Sequence, residues 1–103
     1  MSETHLTSKE RAYLRSLANT VDPIFQYGKG GISENYIKQI DDALEARELI
    51  KLSLLENADT DAKSLAAELC EKAHCQSVQI IGKKIVLYRQ ARDKDKRKIV
   101  LPK

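Results

Sequence analysis

Apolar positions recur along this chain with a helical period in some stretches and strict alternation in others, and the switches between the two mark out its elements. In "LTSKERAYLRSLANT", Thr7 precedes Glu10 at capping-box spacing, and Tyr13, Leu14, Leu17 and Ala18 repeat on one face, which predicts a first helix over about residues 8–19. Pro23 then favours an extended or turn conformation at Asp22, and "PIFQY" carries the β-branched and aromatic residues of a short strand. Behind the glycines of "GKGG", Ser33 is an N-cap, Ile32 and Ile37 are placed as a hydrophobic staple, and Tyr36, Ile37, Ile40, Ala43 and Leu44 form the apolar face of a second helix. "LIKLSLL", residues 49–55, alternates on Ile50, Leu52 and Leu54 as a strand does. The polar turn "ENADTD" leads to a third helix with a stripe of Ala62, Leu65, Ala66, Leu69, Cys70 and Ala73, and "SVQIIGKKIVLYRQ" has two aliphatic runs on either side of Gly82-Lys83, a hairpin signal.

The predicted order is α-β-α-β-α-β-β. Helices between the early strands imply crossover connections and the final hairpin an antiparallel edge, so the expected fold is a single compact α/β domain with a mixed four-stranded sheet and packed helices. At 103 residues there is no room for a separate substrate domain, and the function is expected to be exercised through a surface. Residues 1–89 form the expected domain and residues 90–103 a basic tail, "ARDKDKRKIVLPK" in its last part, whose default is mobility, with an ordered tail packed back on the domain as the alternative because Ile99, Val100 and Leu101 are apolar enough to bury.

Charge changes the picture at that boundary. Residues 1–88 hold 11 Lys/Arg against 13 Asp/Glu, whereas residues 89–103 hold 7 against 2. Such a tail attracts polyanions and serves RNA, DNA or an acidic membrane surface equally well. No stretch reaches the roughly 18 apolar residues of a membrane span, and the N-terminus lacks a signal-peptide apolar region, so a cytoplasmic location without membrane attachment is expected. Cys70 and Cys75 are the two cysteines, too few and too close to staple a secreted fold.

The glycine loop is the candidate chemistry. A bare turn from strand into helix directs backbone N–H groups outward at the positive end of the helix dipole, a phosphate site in principle. Lys29 precedes Gly30 instead of standing beside a Ser or Thr, so the loop is not a Walker A sequence, and Ser33 occupies the third glycine position of the dinucleotide fingerprint. Gly28-Lys29-Gly30-Gly31 does match G-x-x-G, the pattern with which KH domains clamp a sugar-phosphate backbone, although a glycine turn that merely reverses the chain fits this stretch as well.

"LTSKERAYLRSLA", "PIFQYGKGGISENYIKQIDDALEARELIKLSLL" and "VQIIGKKIVLYR" together resemble, in order and over nearly all of residues 6–89, the small bacterial CRM-domain proteins, the YhbY-like family. The resemblance implies a domain similar to the C-terminal domain of bacterial translation initiation factor three, an RNA-binding surface that includes the GxxG loop, and association with ribosomal RNA in precursors of the large subunit. In plants, related domains occur in factors for organelle intron splicing. Carried over by position, the family's RNA-binding residues fall on Gly28, Lys29, Gly30 and Gly31 in the loop and on Lys9, Arg15, Arg47 and Lys51 elsewhere.

Read by themselves, these residues have bland alternatives. Lys9 and Arg15 flank opposite edges of the first helix's apolar stripe, where basic residues are usually just solvated. Arg47 has the phase to snorkel beside Ile40 and Leu44 or to satisfy last-turn carbonyls, and Lys51 is the polar position of an alternating strand. Tyr27 is placed to stack a base or simply to pack. Cys70, His74 and Cys75 lack an obvious fourth soft ligand, His5 being remote in sequence, so no metal or other cofactor is expected. Asp41, Asp42, Glu45 and Glu48 read as a solvated acidic face, and no nucleophile with a base is evident, so no enzyme is expected. The expectation is a monomeric, non-enzymatic RNA-binding protein that assists large-subunit assembly by backbone capture, with loop amides and Lys29 on phosphates and little sequence specificity. The rivals are a small nucleotide-binding protein using the same loop, and a protein-interaction module that docks through a sheet edge or the apolar end of the tail.

Overall fold

The computed structural model describes residues 6–101, so His5 and the final Pro102 and Lys103 lie outside the described residues. The expected order is realised as α1 (Ser8–Ala18), β1 (Phe25–Tyr27), α2 (Glu34–Arg47), β2 (Leu49–Leu54), α3 (Ala62–Ala73), β3 (Gln76–Ile81) and β4 (Lys84–Tyr88). The helix starts follow their local signals. The Glu10 N–H donates to the Thr7 hydroxyl and the Thr7 N–H to the Glu10 carboxylate, completing the capping box. Ser33 and Asp61 side chains accept from Tyr36 and Ser64 in the same way. On α1, Leu14 and Ala18 are the buried positions and Tyr13 points outward, so the buried stripe is narrower than its periodicity suggests.

The sheet order is β1-β2-β4-β3, with β1 parallel to β2 and the other pairs antiparallel. The last strand is therefore inserted at the centre and β3 becomes the edge, which explains why β4 is buried at four consecutive positions. Strand alternation sends Ile50, Leu52 and Leu54 with Ile85 and Leu87 to one face, where they pack with Ile40, Leu44, Leu65 and Leu69 of α2 and α3. Leu49, Val86 and Tyr88 face the other way, against Leu14 and Ala18 of α1. Val78, at an irregularity of β3, joins this second cluster, and Arg11 of α1 donates to the Ser77 and Val78 carbonyls there.

Two expectations are corrected. The tail takes the ordered alternative and not the mobile default: residues 90–101 lie along the domain, with Ala91 fully buried and Ile99 and Leu101 packed on the α1-side core, while Val100 stays exposed. Nor is α2's acidic face merely solvated. Glu48 is fully buried, and its carboxylate accepts from the backbone N–H groups of Ala91 (2.7 Å), Lys98 (2.7 Å) and Ile99 (2.9 Å). Glu45 accepts from the Arg92 and Asp93 N–H groups at 2.9 Å each, and Asp41 binds the Arg89 and Arg92 guanidinium groups. Arg89, itself nearly buried, also donates to the carbonyls of Ala73 and Asp41 and to Glu45, joining β4 to the ends of α2 and α3. Asp42 alone of the four matches expectation, in an exposed pair with Lys38.

The cradle comes with strain. Glu48 has φ +67°, a conformation that L side chains seldom adopt and glycine adopts freely. Glu48→Ala, which leaves three N–H groups without their acceptor, is expected to cost about 3 kcal/mol in a urea titration. Glu48→Gly should cost about 1 kcal/mol less than that, because it sheds the backbone strain while losing the same carboxylate.

Acid should loosen the tail first. Burial pushes the Asp41 carboxyl upward, but the hydrogen bond and charge of Arg89, then those of Arg92, outweigh it and hold it below its ordinary value. The N–H groups of Arg92 and Asp93 do the same for Glu45. Both folded values being depressed, their contribution to stability is complete above the unfolded carboxylate values, about 4, and is lost as pH falls through the folded ones. Denaturant midpoints measured downward from pH about 6 should fall less steeply for an Asp41→Asn, Glu45→Gln double variant than for the parent.

Candidate functional site

The loop Gly28-Lys29-Gly30-Gly31 leaves the C-terminal end of β1 and feeds α2. Because β1 and β2 are parallel, with Tyr27 opposite Leu54, the loop lies beside the turn that leaves β2, and the two turns are bonded together. Leu55 N–H donates to the Tyr27 carbonyl at 2.9 Å, and Asp59 N–H to the Gly28 carbonyl at 3.1 Å. In return the Asp59 carboxylate accepts from the Gly30 N–H at 3.1 Å and from the Tyr27 hydroxyl at 3.0 Å, and that hydroxyl oxygen accepts from the Gly31 N–H at 3.0 Å. Gly30 and Gly31 reach these partners with φ of +104° and +86°, which accounts for glycine at both positions.

This geometry corrects the expected mechanism of the loop. The Gly30 and Gly31 amides point inward and are already bonded, so they are not outward donors for a phosphate. What the loop presents is the exposed Lys29 side chain, carried on a backbone fixed from behind, beside the positive end of α2. Tyr27 is a packing residue: it is buried in the α2/α3-side core, edge-on to Tyr36 with centroids 6.1 Å apart. Burial, with Asp59 beside it, pushes its phenol upward and keeps it a hydrogen-bond donor. Asp59 in turn is held below the ordinary carboxylate range, first by the Gly30 N–H and then by Tyr27.

The remaining sequence-derived candidates do not form one patch. Lys51 lies mid-β2 on the α1-side face, half-buried, and lines a concavity of about 380 Å³ with Asn19, Gln79, Lys83 and Lys84. Arg15, half-buried, stands one helical turn before Asn19. Arg47 ends α2, a helix of 14 residues and so about 21 Å from the loop at its start. It lines a different hollow, of about 550 Å³, with Leu17, Val21, Lys98 and Ile99. Lys9 is exposed in the first turn of α1, whose approach is tied to the start of β3 by the Leu6 N–H bond to Gln76, at the end of the sheet remote from the loop. The sequence reading passed over Lys83 and Lys84, whose signal was strand phase: Lys84 lies opposite Ser53 on β2, two residues from Lys51. Cys70 and Cys75 belong to the packing at the end of α3, the Cys75 thiol donating to the Leu69 carbonyl.

Removing one hydroxyl should unfasten the loop. Tyr27→Phe takes away the acceptor for Gly31 and a donor to Asp59 while keeping the ring, and is expected to cost about 1 kcal/mol. Amide exchange at Gly31, followed by NMR, should accelerate, while that of the β2–β4 ladder keeps its protection relative to global stability.

Comparison with known proteins follows the same lines. The model of the CRS1 / YhbY (CRM) domain matches residues 6–89. The chain is 50% identical over 97 residues, 94% of its length and 99% of the relative's, to Probable RNA-binding protein YqeI of Bacillus subtilis. It is 33% identical over 101 residues, 97% of its length and 98% of the relative's, to a protein of Haemophilus influenzae named RNA-binding protein. Among solved structures it superposes on the solution structure of hypothetical protein SAV1595 from Staphylococcus aureus with a TM-score of 0.74 and 53% identity, covering 95% of this chain and 100% of that one. With a family model over residues 6–89 and relatives matched along nearly their whole length, the chain belongs to the CRS1 / YhbY (CRM) domain family.

Proposed function

We propose that this chain is an RNA-binding protein that engages structured ribosomal RNA in precursors of the large subunit, as an assembly factor, a monomer in the cytoplasm with no enzymatic role. The observation that carries the reading is the exposed Lys29 held at the tip of an internally bonded GxxG loop. A cation on a preordered loop meets a phosphate without first having to immobilise the backbone beneath it. The names of the relatives support RNA as the ligand class. The grip is side-chain based: Lys29 leads, Lys51 and Arg15 extend the footprint along the α1 side, and Lys9 and Arg47 meet more distant parts of a large RNA.

The protein-interaction alternative loses one of its two routes, because Ile99 and Leu101 of the tail are already packed on the domain. The nucleotide-binding alternative is weakened by the same loop geometry, since the Gly30 and Gly31 amides that would cradle a terminal phosphate are bonded to Asp59 and Tyr27.

Binding to fragments of precursor large-subunit rRNA across a salt series tests the reading. Lys29→Glu is expected to reduce affinity at least fivefold and to make the log–log salt dependence shallower by about 0.7–0.9, the contribution of one phosphate contact. Its thermal unfolding should match that of the parent. Undiminished affinity in a folded Lys29→Glu protein would remove the loop from the interface.

A further inference from the structure

We propose that the open half of the sheet's α1-side face is a track for single-stranded RNA that discriminates among bases. This inference rests on the RNA-binding reading and adds a second contact surface to it. Strand register lays out the face in rows. Gln26, Ser53, Lys84 and Ile81 line up across β1, β2, β4 and β3, and the next row is Lys51, Val86 and Gln79. The row beyond, Leu49, Tyr88 and Gln76, leads into the part of the face that α1 and the tail cover. From these two rows Lys84, Ile81, Lys51, Val86 and Gln79, with Lys83 and with Asn19 just past the end of α1, line the concavity of about 380 Å³.

Two features assign the occupant. The first is charge. Lys51 pairs with Val86, and Lys84 is two residues before Val86 on the same face, so the two lysines are diagonal neighbours across the β2–β4 ladder. Neither has an ion-pair partner among the described residues, and no carboxylate residue lines the concavity. Lys83 at the rim has only its exposed pair with Glu56. Like charges held side by side leave an electrostatic demand that an anion between them meets. The second is the lining. Asn19 and Gln79 present amides that both donate and accept, as base edges require, next to aliphatic Val86 and the exposed Ile81.

The track and the glycine loop lie at the same end of the sheet. Leu54 lies opposite Tyr27 on one side, and on the other its N–H donates to the Lys83 carbonyl at 2.8 Å. The two strand spacings between β1 and β4 put the loop and the β3–β4 hairpin about 10 Å apart at one end of the sheet. An RNA strand held by Lys29, whose loop is bonded to the Tyr27 hydroxyl on the α2/α3 side, reaches Lys84 and Lys51 by crossing over that end of the sheet, with its bases toward Gln79 and Asn19.

The test is titration of the four homopolymeric RNA hexanucleotides against the parent, a Lys51→Gln, Lys84→Gln variant, an Asn19→Ala, Gln79→Ala variant and Lys29→Glu, each checked for folding by thermal melting. The lysine variant is expected to lose at least fivefold in affinity, with a salt dependence shallower by about 0.7 per lysine. The amide variant should keep its mean affinity but compress the differences among the four oligonucleotides. If both variants match the parent while Lys29→Glu loses binding, the RNA stops at the loop and the track is overturned with the RNA-binding reading intact. If the amide variant alone is unchanged, base discrimination is overturned and a phosphate track remains. If the parent binds neither the oligonucleotides nor precursor rRNA, the RNA-binding reading falls first.

Discussion

The carboxylate of Glu48 closes the corner on which the rest of the molecule hangs. It sits where α2 must turn directly into β2, as the single residue between them, and its positive φ is what makes the turn so short. Glycine would make the same turn without strain. Glutamate does something glycine does not: from the inside of the corner it receives three backbone N–H groups of a segment 43 to 51 residues further on. Its own carbonyl accepts the Arg89 N–H, so β4 is fastened to the same point. One side chain therefore sets where α2 ends, where β2 begins and where the chain lies after β4. The register of β2 in turn places the glycine loop and the lysine rows at the opposite end of the sheet.

That opposite end is built on a related principle, a carboxylate spent on backbone amides. Asp59 binds Gly30 much as Glu48 binds Ala91, but the surroundings reverse the consequence. Glu48 is sealed in the interior and its bonds are structural. Asp59 is exposed, so its bonds shape a surface loop without burying it. The glycines are needed because their amides turn inward, leaving the lysine between them as the outward-facing group. A loop whose composition suggests backbone offered to a ligand instead has its Gly30 and Gly31 amides bonded to its own neighbours, and the Lys29 side chain is left exposed on that fixed backbone.

Much of the fold was legible because its signals are local. Thr7 with Glu10, Ser33 with Tyr36, and Gly82-Lys83 between aliphatic runs are relations over a few residues, and each is realised. What escaped was long-range. Nothing near Glu48 or Asp41 in sequence announces partners in the tail, and acidic residues at helical spacing look solvated until the partner strand is placed. The inward turn of the loop amides likewise depends on Asp59, 29 residues beyond Gly30. Lys51 was found by alternation, yet its neighbour Lys84 became visible only once β4 was inserted beside β2, because a cross-strand diagonal has no counterpart in the linear chain. Arg47 was placed on the correct helix, but the helix carries it away from the loop.

Tail charge must be reassessed for the same reason. Counted along the sequence, residues 89–103 carry seven basic groups against two acidic ones and form the obvious attractor for a polyanion. In the fold, the Arg89 and Arg92 guanidinium groups are paired with Asp41, and the carboxylates of Asp41, Glu45 and Glu48, on α2 and at its C-cap, lie against the segment. Opposite charges a few ångströms apart cancel beyond about a Debye length, roughly 8 Å in physiological salt, so the tail projects far less field than its composition implies. Among the described residues, the lysines at the loop end lack such neutralisation, apart from the exposed Lys83–Glu56 pair and the single carboxylate of Asp59 near Lys29. The uncompensated positive charge thereby shifts from the most basic stretch of the sequence to a sparser set of lysines that strand pairing brings together.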